Sequence, residues 1–173
     1  MARGRTPSRV FLFFATVFVS FVARIRGKTT PMRSLHRAWR NISPQRLFLV
    51  DGLGALLSAI SLGVVLPGFE RTVGLPAQAL HRLAFLAGGL AAYSFLCCWA
   101  QPANWRPLLK GIALANLLYG GLTAALLLFR YPTVTAVGGV YFGLELTVVV
   151  LLAGWELQTA ARPPGSKDGQ ALP

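Results

Sequence analysis

The sequence predicts an all-α integral membrane protein, an up-down-up-down bundle of four transmembrane helices. Three observations carry this. Four apolar stretches, residues 47–69, 77–100, 107–129 and 133–156, are each bounded by turn residues and charge. Charged residues make up 13% of the chain against 54% hydrophobic, and they fall almost entirely outside those stretches. Lys and Arg are also shared unevenly among the connections. At about 1.5 Å per residue each stretch is roughly 34–36 Å long as a helix, enough to cross a hydrocarbon core of about 30 Å. Lipid cannot satisfy backbone hydrogen bonds, so each must be helical over nearly its whole length.

Residues 1–45 form a basic N-terminal arm, and ten of the seventeen Lys and Arg residues lie before Leu47, from Arg3 to Arg46. A net charge of +12 would suit a nucleic-acid partner, but its concentration just before an apolar helix points to topology and to anionic lipid headgroups instead, so no nucleic acid is expected. Within the arm, residues 10–23 are apolar and flanked by Arg9 and Arg24. These fourteen residues span only about 21 Å as a helix, too short for an ordinary crossing. Three readings compete: a true start at Met32, an interfacial or membrane-dipping helix, and a cleaved signal. The last lacks a small residue at the minus-three position, and the first is favoured by the compact basic lead-in after Met32.

The four-helix domain spans residues 46–159. Arg33, Arg37, Arg40 and Arg46 precede the first helix, Arg106 and Lys110 follow the second, and Arg162 and Lys167 follow the fourth. The other two connections carry only Arg71, Arg82 and Arg130. Positive-inside counting therefore sets both termini in the cytoplasm. The connections are short, Arg130-Tyr131-Pro132 shortest of all, so consecutive helices should be antiparallel neighbours. Trp99, Trp105 and Trp155 then fall at cytoplasmic helix ends, where indole suits the headgroup boundary. Residues 160–173, rich in Pro, Gly and charge, predict a disordered cytoplasmic tail.

Residues 47–63, LFLVDGLGALLSAISLG, and 105–119, WRPLLKGIALANLLY, resemble segments of a group of small, uncharacterised bacterial four-helix membrane proteins. The resemblance covers roughly residues 46–159. It implies the four-helix fold and a bacterial inner (plasma) membrane, and nothing catalytic.

Small residues predict where the helices touch, because association in lipid depends on close backbone approach. The first helix presents Gly54 and Ser58 on one line with Ala55, Ala59 and Gly63 beside it, and the others carry Gly88-Gly89, Gly120-Gly121 and Gly138-Gly139.

Ionisable residues at membrane depth cost about 2.5–3.5 kcal/mol on insertion scales and so mark candidate sites. Asp51 and Lys110 fall at similar depth on the first and third helices, and an ion pair between them would lower that cost. Glu145 sits near the middle of the fourth helix and Asn116 near the middle of the third, with Tyr119 one turn after Asn116 and Tyr141 one turn before Glu145. These four residues predict a buried polar cluster, either structural or able to bind a proton, ion or substrate.

Other features point to no chemistry. Two histidines cannot make a recognisable metal site, and His81 with Arg82 suits headgroup contact. Cys97-Cys98 is not a CxxC motif and reads as small apolar packing. Asn41-Ile42-Ser43 is followed by Pro44 on the cytoplasmic side, which argues against glycosylation. No phosphate loop, nucleophile elbow or zinc-helix motif occurs. No enzyme activity, metal or cofactor is expected. The first functional expectation is a non-catalytic accessory or scaffold component working as a homodimer or within a membrane complex. The alternative is a small dimeric transporter or channel subunit that uses the mid-membrane carboxylate.

Overall fold

The computed structural model describes residues 43–161, and the expectations for the basic arm before residue 43 and for the tail beyond residue 161 lie outside the described residues. Four helices account for nearly all of this span: α1 (Pro44–Val73), α2 (Ala77–Ala100), α3 (Trp105–Phe129) and α4 (Ala136–Ala160). All four are long and apolar enough to cross a membrane. No strand occurs among the described residues.

α1 starts at Ser43, whose extended backbone leads into Pro44 at the first turn, where a missing N–H costs nothing. It runs as a regular helix to Ile60, widens to a π-helical turn over Ser61–Val65, tightens to a 3-10 turn over Leu66–Phe69 and ends as α-helix over Glu70–Val73. Pro67 explains the irregularity. It has no N–H for the Gly63 carbonyl and its ring crowds that position, so the hydrogen-bond register must shift, and the Leu66 N–H reaches back five residues to the Ser61 carbonyl. The helix therefore continues four residues beyond the expected end at 69. It stops at Gly74, whose φ of 83° suits glycine and whose N–H closes on the Glu70 carbonyl at 2.7 Å. Glu70 also begins the next helix, its Oε2 accepting from the Ala77 N–H at 3.0 Å.

α2 has the boundaries that the sequence predicts and ends at Gln101, in a left-handed conformation. α3 starts two residues early, at Trp105, with the Arg106 guanidinium 5.4 Å from the Trp105 ring. α4 is displaced from the expected 133–156 to Ala136–Ala160, because Thr135 acts as its N-cap, the hydroxyl accepting from the Gly138 N–H at 3.2 Å. Thr133 and Val134 belong instead to the connection, held by bonds back to the Arg130 carbonyl.

Thr135 ties the start of α4 to the end of α1. Its N–H donates to the Val73 carbonyl at 3.3 Å and its hydroxyl to the Thr72 carbonyl. Gly138 sits directly on the Val73 carbonyl oxygen, 2.1 Å from where a Cβ would be. Elsewhere α1 packs most extensively on α2, and α3 on α4. Gly63 lies against Ala84 and Gly52 against the Phe95 ring, as small-residue packing predicts. The paired glycines behave differently: Gly120 meets Leu146 and Val149, but Gly88, Gly89, Gly121 and Gly139 face open space.

The distribution of polarity is inverted relative to a soluble bundle. Phe85, Leu96, Trp99, Leu118, Leu128 and Phe129 are exposed on the outer surface, while Asp51, Ser94, Asn116, Thr123, Glu145 and Glu156 are buried. In water such a surface would be costly; against lipid it is the expected one. The apolar core forms two clusters. One gathers Leu62, Leu66, Val73, Leu80, Leu83 and Phe142 at the Thr135 end; the other gathers Leu47, Phe48, Cys97, Leu109 and Ile112 at the opposite end. Cys97 and Cys98 are free thiols, and Cys98 Sγ lies 3.7 Å from the Gln45 carbonyl.

Candidate functional site

Between the two apolar clusters lies a polar axis built from all four helices. Helical periodicity produces it. On α1 Asp51 and Ser58 are seven residues apart and share a face; on α3 Asn116, Tyr119 and Thr123 follow at three and four; on α4 Glu145 and Glu156 are eleven apart, just over three full turns. Ser94 is the contribution of α2. Asp51 and Glu145 are each 3% exposed, and Glu156 is fully buried.

Asp51 accepts two hydrogen bonds across helices, from the Ser94 hydroxyl at 2.5 Å and from Asn116 Nδ2 at 2.6 Å. Its carboxyl thus holds α1, α2 and α3 together. The Glu156 carboxyl lies within electrostatic reach of Asp51 and beside Asn116, yet neither of its oxygens closes a hydrogen bond of normal geometry. At the other end of the axis the Tyr119 hydroxyl donates to Glu145 Oε1 at 2.8 Å. Ser58 is the next polar neighbour of that carboxyl, and Oε2 makes no hydrogen bond of normal geometry. Tyr141 interacts with both Glu145 and Ser61, the first residue of the π-helical turn, and its ring meets Phe142 edge to face.

No protein-family model matches the chain, and no curated protein or solved structure matches it either. Its chemistry must therefore be read from these groups themselves.

Two of the sequence-derived groupings are rearranged. Asp51 and Lys110 form no ion pair: the Asp51 oxygens face Ser94 and Asn116 in the interior, whereas Lys110 is exposed, where its long side chain can reach a headgroup without desolvation. The cluster of Glu145, Asn116, Tyr119 and Tyr141 divides. Tyr119 and Tyr141 stay with Glu145, and Asn116 turns to Asp51. Glu156 is the residue that sequence reasoning missed, because at the end of an apolar stretch it passes for a boundary charge. Its signal was the eleven-residue spacing from Glu145, which puts both carboxyls on one face.

No Lys or Arg among the described residues is buried with these carboxyls. Two carboxyls placed side by side without a cation carry a repulsion that a single shared proton removes. Among the described residues no three His, Cys, Asp or Glu side chains converge as a metal site. What the axis offers chemically is buried carboxyl oxygens that can hold a proton.

Proposed function

We propose that this protein is a small proton-linked transporter or channel subunit, whose buried carboxyls bind and exchange protons inside a membrane bundle. One observation carries the reading: Asp51, Glu145 and Glu156 are buried in one axis, and no base among the described residues is buried with them to neutralise them. Intramembrane carboxyls are expensive, and a purely scaffolding bundle has no need of three. A proton moves by hopping between hydrogen-bonded groups, so it needs no pore of ionic width and the axis of a single bundle suffices, without the dimer that a larger solute demands. The reading includes an up-down-up-down arrangement in a bacterial inner membrane with both termini cytoplasmic, supported by the Lys and Arg bias.

The test of function is proton flux into vesicles holding the purified full chain, under an imposed pH gradient and followed by an internal dye. Wild type should acidify the lumen faster than empty vesicles. Glu145→Gln keeps the shape and the bond from Tyr119 but cannot exchange a proton, so it should fold normally and lose the flux. No flux from wild type would remove the transport reading and leave that of an accessory component. Topology has its own test. Reporter fusions after Gly74 and Tyr131 should report the outer side, and fusions after Gln101 and Ala161 the cytoplasm; an external C-terminus would overturn that orientation.

A further inference from the structure

The two carboxyl sites flank a partly open cavity of about 30 Å³, lined towards one site by Asp51 and Asn116, towards the other by Ser58 and Tyr119, and between them by Gly54 and Leu152. A cavity holds water when it exceeds roughly 10–15 Å³ and offers two to four polar partners. This one satisfies both conditions, with room for one or two molecules. The polar groups on its two sides are those that touch the two carboxyl sites. Tyr119 donates to Glu145 and Ser58 is the neighbour of that carboxyl, while Asn116 donates to Asp51, beside Glu156. Both Glu156 oxygens and Glu145 Oε2 are buried without a hydrogen bond of normal geometry, so each carboxyl has capacity for a further donor or proton.

We infer that this cavity holds water and that the water relays a proton between Glu145 and the Asp51–Glu156 pair. The inference rests on the proton-handling reading above and gives it a route. In the outward direction a proton leaves the carboxyl pair for the water, the water passes a different proton to the Tyr119 oxygen, and the Tyr119 hydroxyl proton moves to Glu145. Each donor is restored by the group behind it, so one proton leaves the pair, one arrives at Glu145, and no other species changes. Asn116 orients Asp51 without carrying a proton itself, since its amide donates a hydrogen bond only.

Gly54 offers the means to test this without touching a carboxyl. A Cβ there would meet only Leu152 Cδ1, at 3.9 Å, an ordinary contact, so Gly54→Ala puts a methyl into the cavity at little steric cost. Gly54→Ser fills the same space but brings a hydroxyl that can stand in for water. Infrared difference spectra of the full chain in vesicles should contain an internal-water O–H band that shifts in H2(18)O, and this band should be missing in Gly54→Ala. Proton flux should fall at least tenfold in Gly54→Ala and remain within a few-fold of wild type in Gly54→Ser. A wild type with no such water band overturns the inference, and so does a folded Gly54→Ala variant that conducts as wild type does. If Gly54→Ala does not fold, the inference stands on Gly54→Ser and the wild-type band, and loss of flux in a folded Gly54→Ser overturns it. Failure of the broader reading looks different: wild type would then carry no flux at all, while the water band would still decide whether the cavity is wet.

Discussion

Gly138→Ala should destabilise the bundle by about 1–3 kcal/mol or more, whereas Gly139→Ala, one residue along, should leave it unchanged. The added methyl at position 138 would lie 2.1 Å from the Val73 carbonyl oxygen and 3.1 Å from its carbon. Both are backbone atoms, which cannot swing aside as a side chain does. Relief requires the first turn of α4 to move off the end of α1, and that movement breaks the bonds from Thr135 to Thr72 and Val73. At Gly139 a Cβ meets nothing within 4 Å, and alanine is the better helix former. Thermal unfolding of both variants in mild detergent checks the pair. Equal melting temperatures would show that the contact between α1 and α4 is not held as described.

The second large effect is expected at Asp51. The relevant reference is four separately inserted helices, in which this carboxyl faces lipid; in the assembled bundle it gains Ser94 and Asn116. Asp51→Leu discards both bonds and leaves a buried hydroxyl and a buried amide without their acceptor. Interhelical bonds in membranes average about 0.6 kcal/mol and reach about 1.7, so the two together predict a loss of about 1–3 kcal/mol. Asp51→Asn should stay close to wild type. Its carbonyl oxygen can keep the Asn116 bond, and the Ser94 hydroxyl can turn to accept from the new amide. Removing the carboxyl next to Glu156 also relieves repulsion in that pair. Unfolding in mixed micelles should rank wild type and Asn together and Leu well below; equal loss in both variants would mean that charge, rather than hydrogen bonding, makes Asp51 hold the helices.

The four spans were legible because length and hydropathy suffice to define them, and α2 falls at the predicted boundaries. The errors come where local chemistry overrides hydropathy. Thr135 moves the start of α4 by capping it, and Pro67 distorts α1 without ending it, since in an apolar setting the backbone re-pairs as π and 3-10 turns rather than leaving groups unsatisfied. The polar residues could be found one at a time, because any carboxyl in an apolar stretch stands out. Their pairing could not. Whether Asn116 turns to Glu145 or to Asp51 depends on how α3 is rotated and displaced along the bundle, and several rotations satisfy the same pattern of small and apolar residues. Charge alone favoured Asp51 with Lys110, but a lysine near a helix end reaches the surface more cheaply than it crosses a bundle.

The two apolar clusters that enclose the polar axis give the protein the character of an airlock with both doors shut. Leu62, Leu66, Leu80 and Phe142 close one end, and Leu47, Phe48, Leu109 and Ile112 close the other. An open, water-filled column through this bundle would dissipate the membrane potential of any cell that made it. With both ends sealed, the transport proposed above would redistribute protons inside and release them only when one end yields. The end beside the π-helical turn of α1 is the one whose backbone already departs from the regular helix and sits next to Tyr141 and Glu145. On the proton-linked reading proposed above, leak would be prevented by leucine and phenylalanine, and the rate of transport would be set by how often those side chains part rather than by the speed of the proton between them.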